Sequence, residues 1–326
     1  MHKINLVFLS FLSLLFLGGC TQLKDTKTLF LAHTLPTSHP VHLGILEFQE
    51  RVAENSKGEL VIKVFPDGQL GSERELLELL QIGSVAMTKV SAAAMASFAP
   101  EYEVLGVPYL FRDKTHLFDV LEGGVGQRLL NSSRDYLLQG LCFYDAGSRS
   151  FYTTGQAVKT PEDLKGLKIR VMNHQMSVEM VNAMGGAATP MAYGELYTAL
   201  QQGVVDGAEN NPPSFVSSNH YEVAKYYALD EHTSIPDVLV IGTKYWDQLS
   251  EEEKKWVSDA ATQSVVAQKQ YWKESVEESM KILEEAGVQI TRPDKAPFSE
   301  KTEGIIKELA EDPKMKPIID AIQSDL

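Results

Sequence analysis

Cysteine is scarce in this chain of 326 residues, which contains only Cys20 and Cys142. Cys20 lies in an N-terminal segment that we expect to be processed, so Cys142 has no partner for an intramolecular disulfide. The apolar sequence around Cys142, GLCFY, favours a buried thiol that packs as a small hydrophobic group. The fold therefore has to be stable without disulfides.

Basic residues are also in short supply, because 30 Lys and Arg stand against 44 Asp and Glu, for a formal net charge of -14. Proteins that bind nucleic acid neutralise its phosphates with clustered Lys and Arg, so this balance argues against a nucleic-acid partner. An acidic exterior still permits an anionic ligand. The positive groups that bind such a ligand would have to be local and enclosed.

Short motifs of catalysis and of metal or cofactor binding are missing. The chain has no GxSxG, HExxH, GxGxxG or GxxxxGK[ST] sequence. His39 and His42 would share a helix face, but no third ligand lies near them in the sequence, and we predict no metal and no cofactor. We therefore expect a protein that is not an enzyme. Because an active site needs no short motif, catalysis remains a remote alternative.

The N-terminus has the features of an export signal. Lys3 precedes an apolar run from Leu6 to Leu17, and LGGC follows. About twelve apolar residues are too few to span a bilayer but match the core of a signal peptide. Small residues before Cys20 predict a lipoprotein signal peptide over residues 1–19 and a lipid anchor on Cys20, on the periplasmic or extracellular side of a membrane. The alternative is an ordinary secretory signal with a chance cysteine, and export follows in either case.

Strand and helix patterns alternate along the rest of the chain. Hydrophobic residues make up 44% of it and charged residues 23%, which allows two compact lobes. Short strand patterns such as TLFLAHT, ELVIKVF and GLCFYDA alternate with amphipathic helices, which favours an α/β fold with largely parallel sheets. A capping box at Ser250 and Glu253 opens a helical pattern that reaches residue 286. At about 50 Å, this helix would span both lobes.

Two breaks in these patterns predict where the chain crosses between the lobes. The sequence GSR interrupts a strand near residue 147, and SIP does so near residue 235. We therefore predict two lobes joined by a hinge. The first lobe would contain residues 28–147 and 236–270, and the second would contain residues 148–235 and 271–326.

Residues 160–211 carry the clearest functional signal. They predict a strand (LKIRV), two short helices and a second strand, with Arg170 near the end of the first strand and Asn210 at the end of the second. Ligands of open α/β sheets bind beyond the carboxyl ends of strands. The planar fork of an arginine matches a carboxylate, so Arg170 is a candidate anion-binding residue. For an arbitrary strand arginine, a salt bridge would be the usual role.

Six segments occur in a characteristic order, namely HPVHLGILEFQERV, FPDGQLGSERELLELLQIG, VPYLF, TPEDLKGLKIRV, GELYTALQQGVVDGAENN and HYEVAKYY. In this order the chain resembles the DctP-type solute-binding proteins of tripartite ATP-independent periplasmic (TRAP) transporters, over about residues 28–260. The resemblance implies a periplasmic-binding-protein-like fold whose two α/β lobes close over an organic anion. It also implies delivery of that anion to a sodium-driven membrane permease.

The resemblance assigns roles to individual residues. Arg170 in KIRV would pair with the ligand carboxylate, and Asn210 in AEN would donate to the same group. Arg149 in GSRSF would be a second arginine of the site, although it could equally brace the hinge. Ser148 stands where many relatives have an aromatic residue, which leaves the shape of the pocket open there.

Further polar residues at the ends of strands and helices are candidates to face the cleft between the lobes: His33, Glu73, Ser91, Asn173 and His232. The run AENNPPSFVSSNHYEVAKYYALDEHTSIPDVLV resembles relatives that bind sugar acids, whose hydroxyls need partners beyond a carboxylate clamp. Glu73 could instead complement its helix dipole, and the two histidines could be structural.

A hexuronate such as glucuronate or galacturonate is the first choice of ligand. Aldonates, keto-sugar acids, sialic acid and C4-dicarboxylates remain open. The ligand-binding component of a sensor would share such a pocket, and a sugar-acid lyase or isomerase is the remote alternative.

Overall fold

A computed structural model describes residues 26–324, which form two α/β lobes built around one sheet each. The predicted two-lobed α/β fold is confirmed. The predicted signal peptide and Cys20 lie outside the described residues. Cys142 is a buried free thiol, as expected. None of the helices within residues 26–324 combines the length and the hydrophobicity that a bilayer span requires.

In chain order the strands are β1 (Lys27–Ala32), β2 (Leu60–Phe65), β3 (Met87–Ser91), β4 (Leu138–Tyr144), β5 (Arg149–Thr153), β6 (Lys168–Val171), β7 (Ala187–Pro190), β8 (Gly207–Asn210), β9 (Tyr226–Thr233), β10 (Asp237–Gly242) and β11 (Gln289–Thr291). The first sheet has the strand order β2-β1-β3-β10-β4, and the second has the order β11-β9-β5-β8-β6-β7.

The helices cover both faces of these sheets and begin at side-chain caps in several cases. A capping box forms at Ser72 with Glu75, and the predicted capping box forms at Ser250 with Glu253. In chain order the helices are α1 (Pro40–Asn55), α2 (Glu73–Ile82), α3 (Ala92–Ala96), α4 (Lys114–Glu122), α5 (Gly124–Ser132), α6 (Gln175–Ala183), α7 (Leu196–Gln201), α8 (Pro212–Ser217), α9 (His220–Val223), α10 (Thr243–Trp246), α11 (Glu251–Glu285), α12 (Ala296–Leu309) and α13 (Lys316–Ser324).

Both sheets are mixed, so the expectation of largely parallel sheets is wrong. β1 runs parallel to β2 and β3, and β6 runs parallel to β7 and β8, as helical crossovers require. The antiparallel pairs are β10 with β3 and β4, and β5 with β8 and β9. The chain leaves the first sheet from β4 to β5 and returns from β9 to β10. Because these two passages run in opposite directions, their strands pair antiparallel.

The two passages between the lobes form the hinge. They touch each other, since Oγ of Ser148 lies 3.0 Å from Oγ of Ser234. The buried side chain of Gln268, on α11, accepts a hydrogen bond from the backbone N–H of Asp145 and donates one to its carbonyl, both at 2.8 Å. The long helix is therefore tied to the first passage at the point where the chain changes lobes.

Gly147 should be the least replaceable residue of this hinge. Its φ is 59°, and a Cβ at this position would lie 3.0 Å from two ring atoms of the buried Trp272. Gly147→Ala is expected to lower the free energy of unfolding by about 2 kcal/mol, since it adds left-handed strain to a clash with a ring that is tightly packed. Gly155→Ala is the matched control, because nothing lies within 4 Å of its added Cβ. Equal stability of the two variants in urea denaturation would contradict this account.

α11 spans both lobes, as the sequence predicts. It packs on α1 and β4 of the first lobe and on α8 of the second. The C-terminal segment departs from the predicted boundary. α12 packs on α6 of the second lobe, but α13 packs on α5 of the first, where Nε2 of His116 lies 3.1 Å from the carbonyl oxygen of Ile322. Residues 316–324 therefore contact the first lobe, to which we did not assign them.

Candidate functional site

A cleft between the lobes holds most of the polar residues that the sequence singles out. It is a concave pocket between the two lobes, with room for a small organic ligand. Both lobes line it. The predicted residues that line it are Glu73 and Ser91 from the first lobe and Arg149, Arg170, Asn173 and Asn210 from the second. The cleft is therefore the candidate binding site.

Arg170 is a buried cation with one unpaired nitrogen. Its side chain extends from β6, is 2% exposed, and donates to the carbonyl of Met191 from Nε at 3.0 Å and from Nη2 at 2.8 Å. Nη1 is buried and has no hydrogen-bond partner within residues 26–324. Burial lowers the pKa of Arg170, yet a guanidinium keeps its charge in proteins. An unpaired buried charge is costly, so Arg170 is the candidate partner of an anionic group.

Asn210 is the last residue of β8 and lies, like Arg170, in the second-lobe wall of the cleft. The orientation of its amide group is fixed. Its Oδ1 accepts hydrogen bonds from Nη1 of Arg149 at 2.9 Å and from the backbone N–H of Asn211 at 3.0 Å. Two donors on one side of the amide require the oxygen there and place the NH₂ group on the other side. The NH₂ group of Asn210, a residue that lines the cleft, is therefore a donor of known orientation.

Arg149 is already paired in this structure. Its Nε and Nη2 bond to the carboxylate of Glu209, with 2.9 Å from Nη2 to Oε1. Behind this pair, Nε2 of His232 lies 3.5 Å from Oε2 of Glu209, and Nδ1 lies 2.7 Å from Oδ2 of Asp230. These two cations and two anions balance one another. Arg149 therefore orients Asn210, and Arg170 supplies the uncompensated positive charge of this wall, as far as residues 26–324 show.

The charged groups of Arg149, Glu209, His232 and Asp230 stabilise one another, which offsets the cost of burying them. Burial by itself would raise the pKa of Glu209, but Arg149 and His232 outweigh it and lower that pKa to about 2. Burial would likewise lower the pKa of His232, but Asp230 and Glu209 raise it to about 9. His232 is therefore protonated at neutral pH.

The pKa of His232 predicts a loss of stability in alkaline solution. The folded protein holds a proton up to about pH 9 that the unfolded chain releases near 6.5. The stabilisation is complete below about pH 6.5 and is lost as the pH rises through about 9, on the order of 3 kcal/mol in all. Between about pH 6 and 9.5, the free energy of unfolding should fall further for the wild type than for His232→Gln, which lacks the proton. Equal losses in the two proteins would refute this assignment.

Two predicted ligand residues do not reach the cleft. His232 is fully buried behind the pair of Arg149 and Glu209, where it balances charge. His33 is also fully buried. Its Nδ1 accepts from the backbone N–H of Leu35, and its Nε2 lies 3.0 Å from Nδ1 of His42. Both ring nitrogens are engaged in each histidine, so the structure corrects the expectation that these two residues face the cleft.

The first-lobe wall carries a cluster of opposite charges, Glu73, Lys89 and Asp237. Lys89 is 2% exposed, and its Nζ lies 3.1 Å from Oδ1 of Asp237 and 3.5 Å from Oε1 of Glu73. Oε1 of Glu73 also accepts from the backbone N–H of Ser91 at 3.0 Å. Burial raises the pKa of Glu73, and Lys89 opposes this shift. We call these three residues the first-lobe cluster.

The remaining two predicted residues have mainly local partners. Ser91 caps α3, since its Oγ accepts from the backbone N–H of Ala93 at 3.2 Å. Asn173 is exposed at the rim of the cleft, where its carbonyl accepts from Oγ of Ser97 at 3.3 Å. This bond joins the two lobes, so Asn173 lies where the cleft closes.

Lys89, Asp237, Met191 and Tyr193 also line this cleft, and none of them was predicted. A lysine in the otherwise apolar pattern VAMTKV could have signalled a buried ion pair, because buried lysines need partners. Asp237 directly follows the second passage between the lobes. Met191 acts through its carbonyl, for which no side-chain pattern exists.

Two lobes, a two-stranded hinge and a desolvated cation in the cleft between them define the class of solute-binding proteins. Residues 31–312 match the family of bacterial extracellular solute-binding proteins, family 7 (DctP). The chain belongs to this family. The predicted resemblance to TRAP solute-binding proteins is therefore confirmed, and the extracytoplasmic location of the family agrees with the predicted export.

Solved structures of similar proteins share the fold. A TRAP periplasmic solute-binding protein from Bradyrhizobium sp. BTAi1, in complex with D-galacturonate, is 39% identical with a TM-score of 0.90, over 91% of this chain and 100% of its own. One from Chromohalobacter salexigens with bound D-glucuronate is 35% identical with a TM-score of 0.89, over 91% and 100%. One from Polaromonas sp. JS666 with D-erythronate is 31% identical with a TM-score of 0.88, over 91% and 98%.

Proposed function

We propose that this protein captures a hexuronate, such as galacturonate or glucuronate, in the cleft between its lobes. The observation that carries the proposal is Arg170, which lines the cleft and whose buried Nη1 lacks a hydrogen-bond partner within residues 26–324. A carboxylate supplies the missing negative charge and accepts the hydrogen bond. The similar proteins solved with galacturonate and glucuronate support a hexuronate as the source of that carboxylate.

The second lobe binds the carboxylate. In the proposed complex the carboxylate accepts hydrogen bonds from Nη1 of Arg170 and from Nδ2 of Asn210. Arg149 keeps the Asn210 amide in the required orientation, through the 2.9 Å bond to its Oδ1. Because these donors are fixed before the ligand arrives, little conformational entropy is lost on binding.

The first lobe binds the hydroxyls. Glu73 and Asp237 have carboxylate oxygens that accept from sugar hydroxyls, and Lys89 holds both side chains in place. Contacts from both lobes exist together only when the lobes are closed over the ligand. The ligand therefore favours the closed arrangement through its higher affinity for it, and the hinge permits opening and closing.

The captured ligand is released unchanged to the membrane subunits of a TRAP permease, while a lipid on Cys20 holds the protein at the outer face of the membrane. Family membership supports the transport role, and the sequence LGGC supports the anchor.

Cell fractionation tests the anchor. The wild type should sediment with membranes, and a Cys20→Ser variant should not. Equal distribution of the two proteins would rule the anchor out.

A four-carbon aldonate is the second candidate ligand, because the similar protein from Polaromonas sp. JS666 was solved with D-erythronate. It carries the same carboxylate but fewer hydroxyls. The two candidates are therefore separated by the first lobe, where the additional hydroxyls of a hexuronate would bind.

Thermal unfolding with a panel of acids tests the proposal. A ligand at about 100 times its Kd adds about 2.7 kcal/mol to stability and raises the unfolding midpoint by several degrees. We expect the largest shift with galacturonate or glucuronate, a smaller one with erythronate, and none with the C4-dicarboxylate succinate. Chromatography of the recovered ligand should show it unchanged, since conversion would indicate an enzyme. A response to succinate alone would contradict the proposal.

A further inference from the structure

We infer that the first-lobe cluster restricts the site to acids with a single carboxylate and rejects diacids of the same carbon length. The inference rests on the proposed function, because it concerns the end of the ligand that points away from Arg170. It adds a specificity role for Lys89 and Asp237, which are not needed for binding the carboxylate.

The cluster has a net charge of −1, and its side chains are largely buried. Glu73, Asp237 and Lys89 have side chains that are 22%, 9% and 2% exposed, and all three line the cleft. A single ammonium serves two carboxylates, so one negative charge stays uncompensated within it. The first-lobe wall is therefore negative, while Arg170 makes the second-lobe wall positive.

The two carboxylates of the cluster still have oxygens to offer a ligand. Glu73 uses Oε1 for Lys89 and for the backbone of Ser91, and Asp237 uses Oδ1 for Lys89. Within residues 26–324, the second oxygen of each carboxylate has no such partner and can accept from hydroxyls. A hydroxyl can donate such a bond, whereas an ionised carboxylate has only acceptors and carries the same charge as the wall.

One other cation of the first lobe reaches the cleft, and it does not cancel this charge. Arg74 is 65% exposed, and its Nε donates to Glu78 at 3.1 Å. A solvated and paired guanidinium contributes little to the field inside the cleft. The second carboxylate of a diacid would therefore be repelled by the negative first-lobe cluster, and no cation nearby would offset this repulsion.

Three acids of one configuration separate charge from shape. Galacturonate has one carboxylate, galactarate is the diacid of the same six carbons, and galactonate has the same open chain as galactarate but only one carboxylate. Calorimetric titration should show that galactarate binds the wild type at least about tenfold more weakly than galacturonate, because like charges meet in a desolvated site.

Two nearly isosteric variants test the origin of this preference. Glu73→Gln and Asp237→Asn each remove one negative charge, so each should narrow the ratio of the galactarate and galacturonate Kd values by about tenfold. The ratio for galactonate and galacturonate, which carry the same charge, should change less than this. Glu252→Gln, an exposed residue at the start of α11, removes the same charge outside the cleft and should leave all ratios unchanged.

Three results would overturn the inference: equal binding of galactarate and galacturonate by the wild type, an unchanged ratio in both cluster variants, or an equal narrowing for galactonate, which would indicate shape. Failure of the wild type to bind either galacturonate or glucuronate would instead refute the proposed function, so the two failures are distinguishable. A cooperative transition in thermal unfolding is the control that shows each variant to be folded.

Discussion

Arg170→Ala is expected to weaken hexuronate binding by about 2–5 kcal/mol, which is about 30-fold or more in Kd. The variant leaves the ligand carboxylate desolvated and without its cation, since Arg149 is committed to Glu209. Arg170→Lys should also bind poorly. A lysine cannot keep two hydrogen bonds to the carbonyl of Met191 and present a further donor in the direction of Nη1. Titration calorimetry with galacturonate measures both effects.

Arg128→Ala is the matched control for this experiment. Arg128 is exposed on α5 and does not line the cleft, and its removal changes the net charge by the same amount. Its Kd should equal that of the wild type. An unchanged Kd in Arg170→Ala, or an equal loss in Arg128→Ala, would contradict the role of Arg170.

Asn210→Asp should be more damaging than Asn210→Ala. The aspartate can still accept from Nη1 of Arg149 and from the backbone of Asn211, but it presents an anionic oxygen in place of the NH₂ donor. Like charges across a binding site cost several kcal/mol, so binding should fall by about 100-fold or more. Alanine only removes one hydrogen bond, worth about 1–3 kcal/mol to a charged group.

Asn182→Asp is the control for the added charge. Asn182 is exposed, and its Oδ1 accepts from the backbone N–H of Ala188 at 3.1 Å, a bond that an aspartate also makes. This variant should bind as the wild type does. If Asn210→Asp bound no more weakly than Asn210→Ala, the ligand carboxylate would not face Nδ2 of Asn210.

The sequence predicts local structure well where short-range chemistry decides it. The predicted capping box at Ser250 and Glu253 forms, and α11 begins directly after Ser250 because these two residues close its first turn together. Residues 221–231 show where this reasoning fails. The segment YEVAKYYALDE has a strand-like pattern throughout, but α9 includes His220–Val223 and the strand begins at Tyr226. A single helical turn is too short to leave a period in the sequence.

Sheet topology could not be predicted in full for a physical reason. Alternating helices and strands indicate parallel pairing only between strands joined by a crossover. The return of the chain from β9 to β10 pairs strands that are distant in the sequence, and hydrophobic periodicity contains no information about that partner. α13 contacts the first lobe for the same kind of reason, since its apolar face shows that it packs but not on which lobe.

The candidate site was predictable where residues lie at strand ends. Arg170 and Asn210 close neighbouring strands, and both line the cleft. His33 and His232 also lie at or near strand ends, yet they point into the protein, because position along a strand does not determine which face a side chain occupies. Glu209 went unpredicted although it precedes Asn210, since its partners come from β5 and β9.

A crystal structure of the protein with bound galacturonate tests the central claim most directly. We expect the ligand carboxylate at about 3 Å from Nη1 of Arg170 and from Nδ2 of Asn210, with hydroxyls donating to Glu73 and Asp237. A carboxylate bound instead at Lys89 or Arg74 of the first lobe, with Nη1 of Arg170 still unpaired, would contradict the account.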